Sequence, residues 1–267
     1  MRRQRWFEIH DQPWFPASLR DRVTEALEAI WNGNRTYRPI SGRLRAAIRH
    51  SGAHQIVDLC SGGGGPWLGL YPEIADGRPL TVWLTDLYPN ALLAAGKMDS
   101  LSNASQEGSS SRPGALVPYR DPVDARAVPD DLPGFRTLFS SFHHFDPESA
   151  RAMLADAFTQ RQGIAIFEAA RRTPWTLLAT NAVPFLGLRE AARARPLRLR
   201  RLLWTFVLPV VPFLLWFDGL LSCLRSYSLA DMAELTQGLT ADDYTWDIGE
   251  ASGGRVPIRY LIGQPRR

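Results

Sequence analysis

The sequence predicts an α/β fold: a mostly parallel sheet of seven strands with helices on both faces and an antiparallel hairpin as its last two strands. Three observations predict it. Short apolar runs recur along the chain, as buried parallel strands do. One of them, Ile56-Val57-Asp58-Leu59, runs straight into four consecutive glycines, Gly62 to Gly65. Such a turn at a strand's carboxyl end is where open sheets bind nucleotide-like ligands. The chain closes on two further runs, residues 244–249 and 256–263, joined by Ser252-Gly253-Gly254, which read as a hairpin.

Residues 1–50 read as an N-terminal helical cap. Pro16 opens a helix that runs to Ile30, and a second helix covers residues 41–50. The link at 37–40 is a turn or an extended piece. After the first strand, residues 67–74 form a short helix whose leading amides face the ligand. The second strand, 80–85, ends at Asp86, and Asn90 caps a helix over 91–98. The serine-rich run 99–114 is too polar to bury itself and reads as a surface insertion. Residues 116–119 are the third strand, 135–141 the fourth, and 163–168 the fifth. Helices follow at 148–159 and, behind the cap Ser228, at 229–237.

Asp58 stands just before the glycines. A carboxylate there repels a pyrophosphate and suits a ligand that carries positive charge. No Gly-Lys-Ser or Gly-Lys-Thr follows to grip a phosphate. Asp86, about twenty residues on, is placed to accept hydrogen bonds from the two hydroxyls of a ribose. Strand, acid, glycine loop and second acid together resemble the class I S-adenosylmethionine-dependent methyltransferases. Asp58, Gly62 and Gly64 match that family's acid followed by glycines at alternate positions; Cys60 stands where the family usually has its first glycine. The resemblance covers about residues 50–267 and implies a Rossmann-like methyltransferase domain over 51–267. It implies that the loop, with Asp58, Cys60, Gly62 and Gly64, holds the methionine part of S-adenosyl-L-methionine. Asp86 and Leu87 would then hold the ribose. Asp124, in the Asp124-Ala125 pair after the third strand, would read the adenine amine, and Ser141 at the tip of the fourth strand completes the set.

The acceptor side is argued from residue type. His143 and His144 follow the fourth strand at the active edge of the sheet. A neutral imidazole takes a proton near neutral pH, so they are the candidate bases; bonding to backbone and shaping a pocket is the plainer role. Glu168 ends the fifth strand at the same edge, to orient a substrate or the base, or to pair with Arg171 or Arg172. The sequence offers no third ligand beside the two histidines, so no metal is expected. Trp14, Phe15 and Tyr37 are candidates to shape a substrate pocket, though most aromatics simply fill the core. Asp218 and Arg225 are candidates for a polar substrate head, with a salt bridge between them as the simpler account.

The chain has 267 residues, 45% hydrophobic and 22% charged, enough for a full core. A formal charge of +4 is mild, and no basic stripe is interleaved with aromatics, so nucleic acid is not an expected partner. Two cysteines support neither a disulfide scaffold nor a metal cluster, and a reducing cytoplasm fits. The basic start lacks the apolar core of a signal peptide. An insertion at about 170–225 carries several arginines and then the apolar segment 202–217, which two prolines interrupt. It falls short of a spanning helix and reads as a pocket lid, a homodimer face or a peripheral membrane contact. The expected activity is methyl transfer to a small, partly hydrophobic molecule. The rivals are another reaction of the same sulfonium, such as cyclisation or alkyl transfer, an NAD-dependent oxidoreductase, and a non-catalytic binding protein.

Overall fold

A computed structural model describes residues 3–4, 6–89, 116–194 and 199–266. Its strands are β1 Gln55–Leu59, β2 Thr81–Leu84, β3 Leu116–Pro118, β4 Phe135–Phe139, β5 Ile164–Glu168, β6 Tyr244–Ala251 and β7 Ile258–Pro265. They form one seven-stranded sheet in the order β3-β2-β1-β4-β5-β7-β6. The first five strands run parallel, and β7 lies antiparallel between β5 and β6. The expected fold class is therefore the observed one. Strand order reverses between β1 and β4, which makes the crevice at their carboxyl ends the topological switch point.

The apolar runs are continuous because both faces of the sheet are covered. Successive residues alternate between two cores. Ile56, Phe139 and Phe167 join one cluster under the helices α1 Ala17–Gly33, α2 Ser41–Ser51 and α3 Trp67–Ala75. Val57, Leu138 and Ile166 join the other, under α4 Pro147–Thr159. Asp146 caps α4 by accepting from the amides of Glu148 and Ser149, each at 3.0 Å.

The insertion folds as helices. α5 Pro174–Ala179 and α6 Val183–Arg193 come first. The short helix Leu199–Leu202 and a π-helical turn, Leu203–Val207, lead to α7 Val210–Arg225. The apolar segment 202–217 is thus broken at Leu208-Pro209, at the first of its two prolines. α8 Leu229–Leu235 follows, closed by a reciprocal capping box of Ser228 and Asp231. Among the described residues no single helix is long and apolar enough to cross a membrane; α7 and α8 qualify together by length and composition but bend by 61°.

α1, α6 and α7 share a third core of Phe15, Val23, Ile30, Val211, Leu214 and Leu215. N-terminal cap and insertion therefore pack on each other. A Cβ on Gly187 would sit 2.5 Å from Leu215 Cδ1, so the closeness of α6 and α7 depends on that glycine. The helix expected at 91–98, its cap Asn90 and the polar run 99–114 lie outside the described residues.

Candidate functional site

β1 delivers Asp58 to the switch point almost fully buried. Its Oδ1 accepts from Thr137 Oγ1 on β4 at 2.6 Å, and its other oxygen accepts from Ser61 Oγ. Burial lifts its pKa to about 6, against the pull of those hydroxyls toward the charged form. The backbone then turns through Cys60 (φ 55°), Gly62 (φ 56°) and Gly64 (φ 107°). Cys60 occupies a left-handed conformation that glycine adopts without strain, which accounts for glycine being usual there. Burial, with the charges of Asp86 and Asp58, pushes its thiol well above the ordinary range.

α1 leans directly on this loop. A Cβ on Gly62 would stand 2.7 Å from Thr24 Cγ2. Asn32 Nδ2 donates to Gly65 O, and Asn32 Oδ1 accepts from Gly69 N, both at 3.0 Å. Asp86 closes the loop from β2: its Oδ2 accepts from Gly62 N at 2.8 Å and its Oδ1 from Tyr88 N at 2.9 Å. Burial raises its pKa; those amides oppose the rise and the charge of Asp11 adds to it. Leu87 beside it is exposed. Val123 N donates to Asp86 O at 2.9 Å, which brings Asp124 and Ala125 to the tip of β2. Ala125 is buried. The Asp124 carboxylate is gripped by Arg126, whose hydrogen bonds hold its pKa down. Ser141 lies buried at the tip of β4, its Oγ without a hydrogen-bond partner. The nine residues expected around the donor are thus gathered at the carboxyl ends of β1, β2 and β4.

The histidines sit next to them on a 3₁₀ turn, Phe142–His144. His143 is buried, and its Nδ1 is 2.7 Å from Glu168 Oε2. An ionised carboxylate only accepts, so Nδ1 carries the hydrogen. Glu168 pairs with this ring rather than with Arg171 or Arg172, which reach Glu250 and Asp231. His144 Nδ1 bonds Asp11. Between the two rings lies Glu8, 3.3 Å from His143 Nε2 and 3.9 Å from His144 Nε2. Ser222 Oγ donates to Glu8 at 2.9 Å, and Arg225 Nη1 stands 3.7 Å away. His10 Nδ1 is 2.7 Å from Asp218 Oδ2.

Charge and burial compete in this cluster. Burial works to lower the pKa values of His143 and His10, but adjoining carboxylates outweigh it. Glu168 and Glu8 hold His143 at about 10, and Asp218, Asp11 and Glu8 hold His10 at about 9. Burial opposes the charge of Glu8, yet His144 and His143 draw its pKa to about 2, and the same balance lowers Asp11. Residues 8–11 went unnoticed as site residues in the sequence. The one signal was scarcity: the chain has five histidines, and three of them meet here.

The expected substrate residues fare differently. Trp14 is exposed and stacks edge-on with Phe15, 6.2 Å between centroids, while Phe15 is buried in the third core. Tyr37 is not an open pocket wall. Its ring is buried edge-to-face on Phe139 at 5.1 Å, and its hydroxyl bonds Ser140 Oγ. Asp218 and Arg225 do not pair: Asp218 takes His10 and the amide of Ile9 at 2.9 Å, and Arg225 takes Glu8 and the carbonyl of His144. Glu8, Ile9 and His10, packed against α7, supplied nearer partners for both.

No family model and no curated protein matches the sequence. Solved structures do. The plantazolicin methyltransferase BpumL, solved with S-adenosylhomocysteine, aligns over 94% of this chain and 100% of its own, at 12% identity and a TM-score of 0.50. PigF, solved with the same nucleoside, aligns over 96% of this chain and 63% of its own, at 15% identity and a TM-score of 0.49. The chain spans little more than half the length of several other structures that it matches. Sheet order, the terminal hairpin and the full-length overlap with BpumL agree: the chain has the fold of the class I S-adenosylmethionine-dependent methyltransferases.

Proposed function

We propose that this protein binds S-adenosyl-L-methionine at the carboxyl ends of β1, β2 and β4 and transfers its methyl group to a nucleophile on a small, partly hydrophobic molecule. The observation that carries the reading is the meeting of two carboxylates at the switch point, with Asp86 against the amide of Gly62 in a glycine loop that Asp58 braces. The residues present fit such a donor. The loop is lined with acids and carries no lysine or arginine of its own to hold a pyrophosphate, and Ser141 Oγ is a buried polar atom with no protein partner. When bound, the sulfonium supplies a methyl group already activated for displacement. Asp86 and Leu87 hold the ribose, Asp124 and Ala125 the adenine, and Cys60, Gly62, Gly64 and Ser141 the methionine end. The acceptor is presented beside His143 and His144. Where its nucleophile carries a proton, His144, braced by Asp11 and partly exposed, is the group that receives it; His143, kept protonated by Glu168 and Glu8, stands behind it at 4.4 Å between ring centroids.

Titration calorimetry tests the donor site. S-adenosylhomocysteine is expected to bind, at least tenfold more weakly after Asp86→Ala, and NAD is expected not to bind. Strong binding of NAD with none of the sulfur nucleoside would overturn the reading. Formation of S-adenosylhomocysteine on turnover separates methyl transfer from other reactions of the sulfonium. We also infer a cytoplasmic location, consistent with two free cysteines, and contact of the insertion with an anionic membrane surface. Phe206, Val207, Leu208 and Phe213 stand exposed there, behind an arginine-rich stretch.

A further inference from the structure

We propose that Glu8, His143 and His144 bind a divalent metal ion of the zinc class. The proposal does not depend on the methyl-transfer reading. One ligand atom from each of the three side chains lies within 4.8 Å of the other two. His143 Nε2 is 3.3 Å from Glu8 Oε1, and His144 Nε2 is 3.9 Å from Glu8 Oε2. Ligands at roughly 2.0–2.1 Å from a tetrahedral ion stand about 3.4 Å apart. The short contact runs to Oε1 and the longer one to Oε2, so one carboxylate oxygen reaches both rings at that spacing only after a shift of about an ångström or more.

The surroundings of the rings agree with these distances. His143 Nε2 is buried and makes no well-directed hydrogen bond; what meets it in the protein without an ion is the Glu8 carboxylate, 3.3 Å away as an ion pair. The Nδ1 atoms of both rings are taken by carboxylates, Glu168 on His143 and Asp11 on His144. With the hydrogen on Nδ1, a ring that gives up its Nε2 proton to an incoming ion presents the Nε2 lone pair to it. A carboxylate behind each imidazole is the support that orients metal-ligating histidines and raises their basicity.

Glu8, Asp11, Glu168 and Asp218 bring four carboxylates to the cluster, with the Arg225 guanidinium facing Glu8. Arg3 reaches the carbonyls of His143, Phe145 and Arg225 and lies over the Tyr227 ring. Ser222 occupies Glu8 Oε1 and leaves Oε2 toward His144. Two imidazoles and one carboxylate suit zinc and its neighbours better than magnesium or calcium, which prefer more oxygen ligands. His144 is partly exposed, so the site keeps a side open to a further ligand. An ion held there occupies His144 Nε2, so the base role proposed above belongs to the protein without the ion.

The test uses the full chain, stripped with a chelator and checked for folding by circular dichroism. Titration with zinc chloride should show one ion per chain, and the cobalt(II) form should show the intense visible bands of a four-coordinate site. His144→Ala changes the most open of the three ligands and should weaken zinc binding more than a hundredfold, while His50→Ala leaves it unchanged. Asp11→Asn, which alters the support of His144 and a contact with His10 but none of the three ligands, should weaken it about tenfold to a hundredfold. A folded protein that takes up no zinc at submillimolar concentration overturns the proposal. So does stoichiometric binding that His144→Ala and Glu8→Gln leave intact, since the ion then sits elsewhere.

Discussion

Asp58 is a single carboxylate held where water hardly reaches. Its pKa stands at about 6 in the folded chain, against about 4 when unfolded. Below about pH 4 both states carry the proton. Between pH 4 and 6 the unfolded chain has released it and the folded chain has not. Stability from this group therefore falls as pH rises through that window, and the deficit persists unchanged at neutral pH. Urea unfolding of Asp58→Asn beside the parent should show the difference moving in the variant's favour by on the order of 2 kcal/mol between pH 4 and 7. A constant difference across the window would show that Asp58 titrates as an ordinary acid. Position and type of this acid were legible in the sequence, because a strand tip followed by glycines has few architectures to belong to. Its bonds to Ser61 and Thr137 were not, since β4 lies far along the chain.

Among the elements, the contact of α1 with the glycine loop is the most sharply testable. Gly62→Ala meets two obstacles, a positive φ and a methyl group 2.7 Å from Thr24 Cγ2. Thr24→Ser removes that methyl group and keeps the hydroxyl. In thermal melts Gly62→Ala should be clearly destabilised, and Gly62→Ala with Thr24→Ser should regain the steric part, leaving about 1 kcal/mol for the backbone. No recovery in the double variant would mean that α1 does not set the loop's position. Strands and helices could be read along the chain because their signals are local: short apolar runs, the glycine turns, the cap Ser228. What lies against what could not. Tyr37 shows the limit, for an aromatic beside a proline suits a pocket wall or a core equally, and only the arrival of Phe139 and Ser140 decides. The segment 202–217 shows the reverse, since its prolines announced an interruption and the chain breaks at one of them, Pro209, while Pro212 is taken into the first turn of α7.

At the scale of the whole molecule, the helical cap and the insertion form one layer over the sheet's active edge and leave an apolar rim outside it. Sedimentation with vesicles tests what meets that rim. Binding to phosphatidylglycerol and not to phosphatidylcholine, lost when Phe206 and Phe213 are both changed to serine, is the expected result. A protein that ignores both vesicles and is dimeric by light scattering would assign the rim to a subunit contact instead.

The same layer is tied down by the opening residues. Arg3 donates to the carbonyl of Arg225, 222 positions away, and Glu8, His10 and Asp11 find their partners at His143, His144 and Asp218. Synthesis makes these residues before their partners: the bonds to His143 and His144 cannot form until β4 and the turn after it have followed, and those to Arg225 and Asp218 wait for α7. Arg3, Glu8, His10 and Asp11 are therefore seated long after they are made, and until then the strand tips they cover stay open.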